Sequence, residues 1–152
     1  MGEWEFRWLA IKAAFRIAGM TVIVERAIDV PEYRRLRAEV GWNSPDDRVC
    51  AAALAASLFT VVADDEEGRS VGMARAVGDG FYVLIVDVVV IPRAQGSGIG
   101  AMLIASVMEW AGEQSIPHLA LGAADEVAGL YHRRGFARAG QYLRLDEDTV
   151  SR

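Results

Sequence analysis

The sequence predicts a mixed α/β domain built around one β-sheet, with helices packed against it. Two observations support this fold class. Segments with β-type and helical periodicity follow each other in the order β, α, α, β, β, β, α, β, α, β. The three consecutive β-segments are separated by short charged or glycine-containing turns, which is typical of an antiparallel meander, and the last five segments form a β-α-β-α-β unit.

The N-terminal segment 1–19 is interpreted as an extension upstream of a domain that spans 20–152. Acidic and arginine residues interrupt it, so it matches neither a secretory signal nor a membrane-spanning helix. Its apolar side chains predict a short helix that must bury one stripe, and the interface of a homodimer is one candidate for covering it. The stripe consists of Trp4, Trp8, Ile11 and Phe15.

Two helices are predicted between the first strand and the meander. Pro31 marks the start of the first helix and Gly41 its end, and the run Ser44-Pro45-Asp46-Asp47 marks the start of the second. β-Branched and apolar runs predict the strands. The elements are a strand over 21–26, helices over 30–40 and 48–57, and strands over 59–63, 71–77 and 81–91.

The second half of the domain is predicted to alternate helices and strands after Pro92, which ends the long β-run. The first helix there is indicated by apolar residues at helical spacing, and the second by its end at Gly135. The elements are a helix over 98–111, a strand over 118–121, a helix over 125–134 and a closing strand over 141–145.

Composition excludes several classes of protein. A chain of 152 residues is long enough for one domain, and its net charge of −5 argues against nucleic acid or an anionic membrane as a partner. The single cysteine, Cys50, allows no intrachain disulfide and indicates a reducing compartment, the cytoplasm. His118 and His132 lie at no ligand-like spacing, so no metal site is expected.

The segment Gln95-Gly96-Ser97-Gly98-Ile99-Gly100 turns from a strand into a helix and is the strongest functional signal. Backbone N–H groups of such a turn, together with the helix dipole, favour a pyrophosphate, and glycines let it approach the main chain. A P-loop is excluded because no lysine follows, and a dinucleotide fold because the loop lies after an antiparallel region. Of the three kinds of pyrophosphate site considered, a P-loop, a dinucleotide fold and a coenzyme A site, only the coenzyme A site remains.

This glycine segment resembles the Gln/Arg-x-x-Gly-x-Gly/Ala acetyl-CoA signature of the GNAT N-acetyltransferase superfamily. Two flanking motifs, Val90-x-Pro92 and Leu130-Tyr131-x-x-x-Gly135-Phe136, are also similar to that superfamily. The resemblance covers about residues 21–145. It implies a mostly antiparallel central sheet that splays into a V and is flanked by helices, with acetyl-CoA as co-substrate and no metal.

The resemblance also implies how the coenzyme binds. The pantetheine arm would pair with the backbone of one splayed strand, and amides of the glycine loop would hold the pyrophosphate. A bulge in the same strand would direct a backbone N–H at the thioester carbonyl, at a position that the sequence does not predict. The residues implied are Val88, Val89 and Val90 in the strand and Gln95, Gly96, Ser97, Gly98, Ile99 and Gly100 in the loop.

Two catalytic residues follow from the same resemblance. Tyr131 matches the tyrosine whose hydroxyl lies near the coenzyme sulfur, where it binds the coenzyme and protonates the departing thiolate; the alternative is a core tyrosine. Asp87 matches a strand position that often carries a carboxylate facing the acceptor, where it would take the ammonium proton or bind the cation. The alternative is an aspartate that closes a bulge or pairs with an arginine.

The resemblance also implies an acceptor site built from the first two helices and their loop, where Arg37, Trp42 and Asn43 are the candidates for binding substrate. A tryptophan-lined opening with a few polar groups suits an arylalkylamine, a polyamine or an amino-acid amine. We therefore expect direct acetyl transfer from acetyl-CoA to a primary amine of a small molecule. The alternatives are a protein or peptide N-acetyltransferase, and a coenzyme-binding sensor without turnover.

Overall fold

Six strands form one sheet in the described part of the computed structural model, which comprises residues 15–17, 21–141 and 143–145. The strands lie side by side in sequence order, each antiparallel to the next except for the parallel last pair. The mostly antiparallel mixed sheet predicted from the sequence is confirmed. The strands are β1 (Phe15–Ile17), β2 (Thr21–Glu25), β3 (Phe59–Asp64), β4 (Ser70–Gly78), β5 (Tyr82–Val90) and β6 (His118–Leu121).

The helices begin and end where the sequence signals place them, within a few residues. Asp29 caps the first helix through the amide of Glu32, and Asp46 caps the second through that of Val49. Gly41 follows the first helix with a φ of 78°, which is the left-handed conformation that glycine adopts readily. The α-helices of the described residues are α1 (Val30–Glu39), α2 (Asp47–Ala55), α3 (Ile99–Glu113) and α4 (Ala128–His132).

The chain divides into two compact units, Met1–Leu121 and Gly122–Arg152. The whole described sheet and the first three helices belong to the first unit, and α4 belongs to the second. In the first unit, α3 packs on β3, β4 and β5 with its residues Leu103, Ile104 and Val107 fully buried. The stacked rings of Phe59 and Trp110, with centroids 5.2 Å apart, join β3 to the same helix.

The close approach of α3 to the sheet requires glycine at position 72 of β4. A Cβ atom at Gly72 would lie 2.8 Å from the carbonyl oxygen of Val89 and 3.2 Å from Cδ1 of Leu103. Side chains alternate between the two faces of a strand, so Arg75, three residues further on, points to the opposite face. Arg75 there contacts α2 and the segment after it through Ala53 and Ser57. Helices therefore cover both faces of β4.

We expect Gly72→Ala to destabilise the protein by about 1–3 kcal/mol, because the new methyl group overlaps a backbone oxygen of β5 that cannot move alone. Thermal melts measure the change. Gly112→Ala is the control, since a Cβ at Gly112 of α3 meets nothing within 4 Å and alanine favours helix by up to about 1 kcal/mol. An unchanged or higher melting temperature for Gly72→Ala would contradict the steric account.

The predicted N-terminal helix does not reach Phe15, the last residue of its apolar stripe. Phe15 lies on β1, which pairs with β2 in the register Phe15 opposite Ile23. The rest of the aromatic stripe, Trp4, Trp8 and Ile11, lies outside the described residues. Over a short segment, apolar residues at every third or fourth position are compatible with a strand as well as with a helix. Here pairing with the adjacent strand β2 determines the conformation of residues 15–17.

Two predictions for the C-terminal unit are corrected. The predicted helix over 125–134 begins as a 3₁₀ turn, Asp125–Val127, and only Ala128–His132 is α-helical. The predicted closing strand over 141–145 is absent at its described positions, 141 and 143–145. Leu143 and Leu145 are 84% and 64% exposed, so the burial that favours an extended strand is missing there.

Candidate active site

The edge of β5 changes halfway along the strand. Its first half pairs with β6, from Tyr82 opposite His118 to Ile85 opposite Leu121. β5 then continues for five residues, Val86 to Val90, and no strand of the described residues pairs with this edge beyond Ile85. This unpaired half of β5, which we call the splayed half, lies where the sequence resemblance implies a splay, and it contains Val88, Val89 and Val90. Such an edge offers backbone donors and acceptors to an extended ligand.

A β-bulge lies at the start of the splayed half. Met73 is opposite Val89 and Arg75 is opposite Val86, so two steps along β4 match three along β5. The extra residue falls at Asp87, whose φ of 51° is in the left-handed region. Aspartate is one of the few non-glycine residues that adopt this conformation with little strain. The structure therefore locates the bulge that the sequence left unplaced.

The glycine loop joins β5 to α3 and is open toward its outer side. Gly96 and Gly98 have φ values of 79° and 84°, and a Cβ at either would meet nothing within 4 Å. Gly98 is the N-cap of α3 and supplies no side-chain cap, and the first turn carries no acidic residue. Backbone amides at such a helix start favour an anion. The loop thus fits the pyrophosphate of coenzyme A.

Side chains of the loop hold its shape. The Gln95 amide Nε2 donates to the Val90 carbonyl at 2.9 Å, and the Ser97 hydroxyl donates to the Ala94 carbonyl at 2.8 Å. Ile99 is buried, and Gly100 approaches Val90 closely enough that a Cβ would lie 3.6 Å from its side chain. The Gln95 and Ser97 side chains therefore brace the loop. The main-chain amide of Gln95 donates to the Pro92 carbonyl at 3.3 Å, so the amides proposed to face a ligand are those that follow it in the loop.

Asp87 lies in a nearly buried group of charged and aromatic residues that we call the arginine–aspartate cluster. It consists of Tyr33, Arg37, Arg75 and Asp87. The Asp87 carboxylate accepts from Arg75 Nε and Nη2 at 2.9 and 2.7 Å, from Arg37 Nη1 at 2.5 Å and from the Tyr33 hydroxyl at 2.9 Å. The side chain of Asp87 is 9% exposed and that of Arg75 is 6% exposed. These contacts match the alternative role considered for Asp87, that of a bulge residue paired with arginine.

The predicted acceptor residues lie at this cluster: Arg37 is a member of it, and Trp42 and Asn43 adjoin it. Arg37 Nη2 and Nε donate to the Asn43 carbonyl at 2.6 and 3.3 Å, and Nε also donates to the Ser44 hydroxyl at 3.2 Å. The guanidinium carbon of Arg37 lies 5.4 Å from the ring centre of Trp42 and 5.5 Å from that of Tyr33. Trp42 is 44% exposed. The structure thus brings Arg37, Trp42 and Asn43 together beside the β5 bulge.

Tyr131 belongs to the C-terminal unit, where it lies in α4 and is buried. Its ring meets Phe136 edge to face at 6.2 Å, and His132 Nδ1 lies 2.9 Å from the Phe136 carbonyl oxygen. Burial raises the pKa of Tyr131 above the ordinary tyrosine value. The hydroxyl is therefore protonated at neutral pH, which is the form that donates a proton.

Two residues of the cluster were missed by sequence reasoning. Tyr33 lies in the first predicted helix without a predicted role, and its raised pKa reflects burial and the neighbouring Asp87 charge. Arg75 was not singled out, although it is a lone charge within the apolar strand β4. A buried strand tolerates a charge only when a partner is present, so Arg75 and Asp87 in adjacent strands were a usable signal.

An unpaired strand edge with a bulge, followed by a glycine loop at the start of a helix, is the arrangement expected of the class of proteins that bind a pyrophosphate-bearing coenzyme in extended form. Comparison with known proteins identifies the class. The family model for the acetyltransferase (GNAT) family matches residues 26–136. A probable acetyltransferase from methicillin-resistant Staphylococcus aureus has a similar structure, with a TM-score of 0.73 and 26% identity, over 83% of this chain and 100% of that one.

Curated relatives are similar over most of the chain. Serotonin N-acetyltransferase 2, chloroplastic, from Oryza sativa subsp. japonica is 32% identical over 127 residues, which is 81% of this chain and 60% of the relative. Histone acetyltransferase TAP1 from Glycine max is 32% identical over 120 residues, which is 72% of this chain and 52% of the relative. The chain thus spans little more than half the length of these two relatives. It belongs to the GNAT acetyltransferase family.

No group of three or more histidine, cysteine, aspartate or glutamate side chains in the described part of the chain is arranged to hold a metal ion. No helix among the same residues is both long and apolar enough to cross a bilayer. His118, which begins β6, stacks on Tyr82 with ring centres 4.8 Å apart.

Proposed function

We propose that this protein transfers an acetyl group from acetyl-CoA directly to a primary amine of a small molecule. The observation that carries the proposal is the continuity of β5: its splayed half leads through Pro92 into a glycine loop whose amides start α3 without a side-chain cap. An extended ligand with a pyrophosphate at one end matches this path. Family membership supplies acetyl-CoA as the co-substrate.

The chain's own residues would divide the chemistry as follows. In a direct transfer a C–N bond forms while the thioester C–S bond breaks. The ammonium nitrogen loses two protons in all: one leaves before the attack, and the second, lost from the tetrahedral intermediate, balances the proton that the sulfur gains. A backbone N–H at the β5 bulge would stabilise the oxyanion. Protonation of the sulfur by the Tyr131 hydroxyl stays a prediction from the sequence resemblance. Both oxygens of Asp87 already accept from charged donors. We therefore assign the ammonium proton to solvent water, and the base role of Asp87 stays a prediction.

The acceptor's chemical class rests on the neighbourhood of the bulge. An exposed tryptophan beside a polar guanidinium suits a small amine with an apolar portion, and these are Trp42 and Arg37. The names of the relatives point in two directions, because one is a serotonin N-acetyltransferase and the other a histone acetyltransferase. A protein or peptide acceptor is therefore the second candidate, and thiol release measured with both kinds of amine distinguishes them.

The compartment and the oligomeric state are also proposed. The single cysteine, Cys50, is buried and free, which suits the reducing cytoplasm. The exposed rings of Phe81 and Tyr82, at the start of β5, form an apolar surface with His118 that suits the interface of a homodimer. The net negative charge supports a small-molecule acceptor rather than nucleic acid or a membrane surface.

We expect acetyl-CoA to raise the melting temperature. A ligand at a hundred times its Kd stabilises the folded state by about 2.7 kcal/mol, because it binds the folded loop only. Melting curves with and without acetyl-CoA measure the shift, and NAD and acetyl phosphate serve as control ligands. No shift with acetyl-CoA, or an equal shift with NAD, would contradict the proposed function.

Gly98→Val should abolish this shift, because the added side chain projects into the space that the phosphates need. Gly68→Val is the matched control. Gly68 has a φ of 73° and open space at its Cβ, so valine there meets the same backbone strain in a different turn. A full acetyl-CoA shift in the Gly98 variant would remove the loop from the proposed site.

A further inference from the structure

The arginine–aspartate cluster contains more positive than negative charge. Two guanidinium groups, Arg37 and Arg75, share one carboxylate, Asp87, which leaves a net charge of +1. The side chain of Arg37 is 18% exposed, so it is the member through which this excess charge meets solvent. A charge so poorly solvated interacts strongly with whatever ligand lies beside it.

Neighbouring acidic side chains do not cancel the excess, because each has a different partner. On α1, Glu32 binds Arg26 and Glu39 binds Arg35. Asp47 at the start of α2 pairs with Arg34. Among the described residues, Asp87 is thus the carboxylate that hydrogen-bonds to Arg37 and Arg75.

The Arg37 guanidinium keeps hydrogen-bonding capacity. It has five N–H hydrogens, and its contacts with Asp87, Asn43 and Ser44 involve one hydrogen on each terminal nitrogen and the single hydrogen on Nε. One hydrogen on each terminal nitrogen therefore remains for a ligand. The rings of Tyr33 and Trp42 lie over the group and fix its orientation.

The remaining N–H groups of Arg37 lie near the position at which the acceptor would bind. The cluster surrounds the β5 bulge, and the bulge begins the splayed half of the strand. Under the proposed function, on which this inference rests, the acceptor nitrogen comes to this position. A purely cationic amine would be repelled by the net positive charge, whereas an amine with a nearby anionic group would be attracted.

We infer that the acceptor is a primary amine that also carries a carboxylate, namely an amino acid with an apolar side chain, and that Arg37 binds this carboxylate. A guanidinium offers a planar fork that matches a carboxylate. Apolar surface for the side chain is provided by Trp42 and by Leu84, which are 44% and 42% exposed. Leu84 precedes Val86 by two residues and so shares the face of β5 to which Arg75 points.

Matched pairs of acceptors test the inference. Thiol release is measured with phenylalanine against phenethylamine and with tryptophan against tryptamine, because each pair differs only in the carboxylate. Glucosamine 6-phosphate against glucosamine provides a phosphate arm, and a lysine-containing peptide and spermidine provide cationic arms. We expect kcat/KM to be at least about tenfold higher for the amino acid of each pair, as a charged hydrogen bond implies.

The Arg37→Gln variant should lower kcat/KM for phenylalanine by about 10- to 100-fold, mainly through KM, and raise that for phenethylamine, because it removes the charge that repels a cationic amine. Arg37→Lys keeps the charge without the fork and should fall between the two. Arg34→Gln is the matched control on α1, since Arg34 pairs with Asp47 outside the cluster, and it should keep the preference. A melting curve of each variant verifies folding. If Arg37→Gln does not fold, the inference is tested by kcat/KM for the acceptor pairs in Arg37→Lys and in the unmodified protein.

Several results would overturn the inference. One is a higher kcat/KM for phenethylamine, tryptamine, spermidine or the peptide than for the amino acids. Another is a preference for the phosphate compound alone. A third is an equal loss of kcat/KM for both members of a pair in the Arg37 variants. Each of these leaves acetyl transfer itself intact. Failure of the proposed function is distinguishable, because it would appear as no thiol release with any amine, and the inference would then fail with it.

Discussion

Asp87→Asn is expected to destabilise the protein by about 3–5 kcal/mol, the usual effect of removing one partner from a buried ion pair. The variant leaves Arg37 and Arg75 largely buried without a compensating anion. Asparagine tolerates a positive φ as aspartate does, so the bulge geometry itself is not disturbed. A melting curve or a denaturant titration measures the loss.

Asp47→Asn is the control for this experiment. It makes the same chemical change in the exposed Arg34–Asp47 pair, where the expected loss is below about 1 kcal/mol. A pH–rate series on Asp87→Asn separates the remaining roles. A stable variant whose rate recovers at high pH would identify Asp87 as a base, and a stable variant with only a raised acceptor KM would identify it as a cation-binding group.

Tyr131→Phe is expected to lower turnover by about a hundredfold or more while acetyl-CoA binding changes little. The buried hydroxyl keeps its proton at neutral pH because burial raises the pKa of Tyr131, and phenylalanine removes that proton without changing the contact with Phe136. Steady-state kinetics and the acetyl-CoA melting shift measure the two properties separately.

Tyr82→Phe deletes the same hydroxyl from an exposed ring and should leave turnover unchanged. If Tyr131→Phe also turns over at the full rate, Tyr131 is a packing residue and water protonates the thiolate. If it loses acetyl-CoA binding together with turnover, the hydroxyl holds the coenzyme rather than serving as an acid.

Local signals in the sequence were sufficient for most of the first unit. Proline and aspartate at helix starts, glycine at helix ends and β-branched runs between charged turns are short-range features, and strands β2 to β6 formed where they indicated. The closing strand over 141–145 depended instead on burial of Leu143 and Leu145, which the sequence cannot supply. The same holds for Phe15, whose strand conformation depends on the pairing partner Ile23.

The sequence predicted individual motifs of the candidate site, but not the long-range contacts between its residues. The glycine loop is one contiguous motif, and its conformation follows from its own residues. Asp87, Arg37 and Arg75 come from three separate elements, and their contacts span 50 and 12 positions. Neither the bulge that turns Asp87 toward α1 nor the shared carboxylate is encoded by any short stretch of the chain.

The positive φ of Asp87 restricts how this position can change during evolution. The residue must have a backbone that accepts the left-handed region and a short side chain with a negative charge. Glycine and asparagine accept the positive φ but carry no negative charge. Glutamate carries the charge but does not readily adopt the positive φ. A lineage could therefore leave aspartate by single substitutions only after Arg37 and Arg75 had both been replaced, which makes the order of mutations, and not only their identity, part of the history of this site.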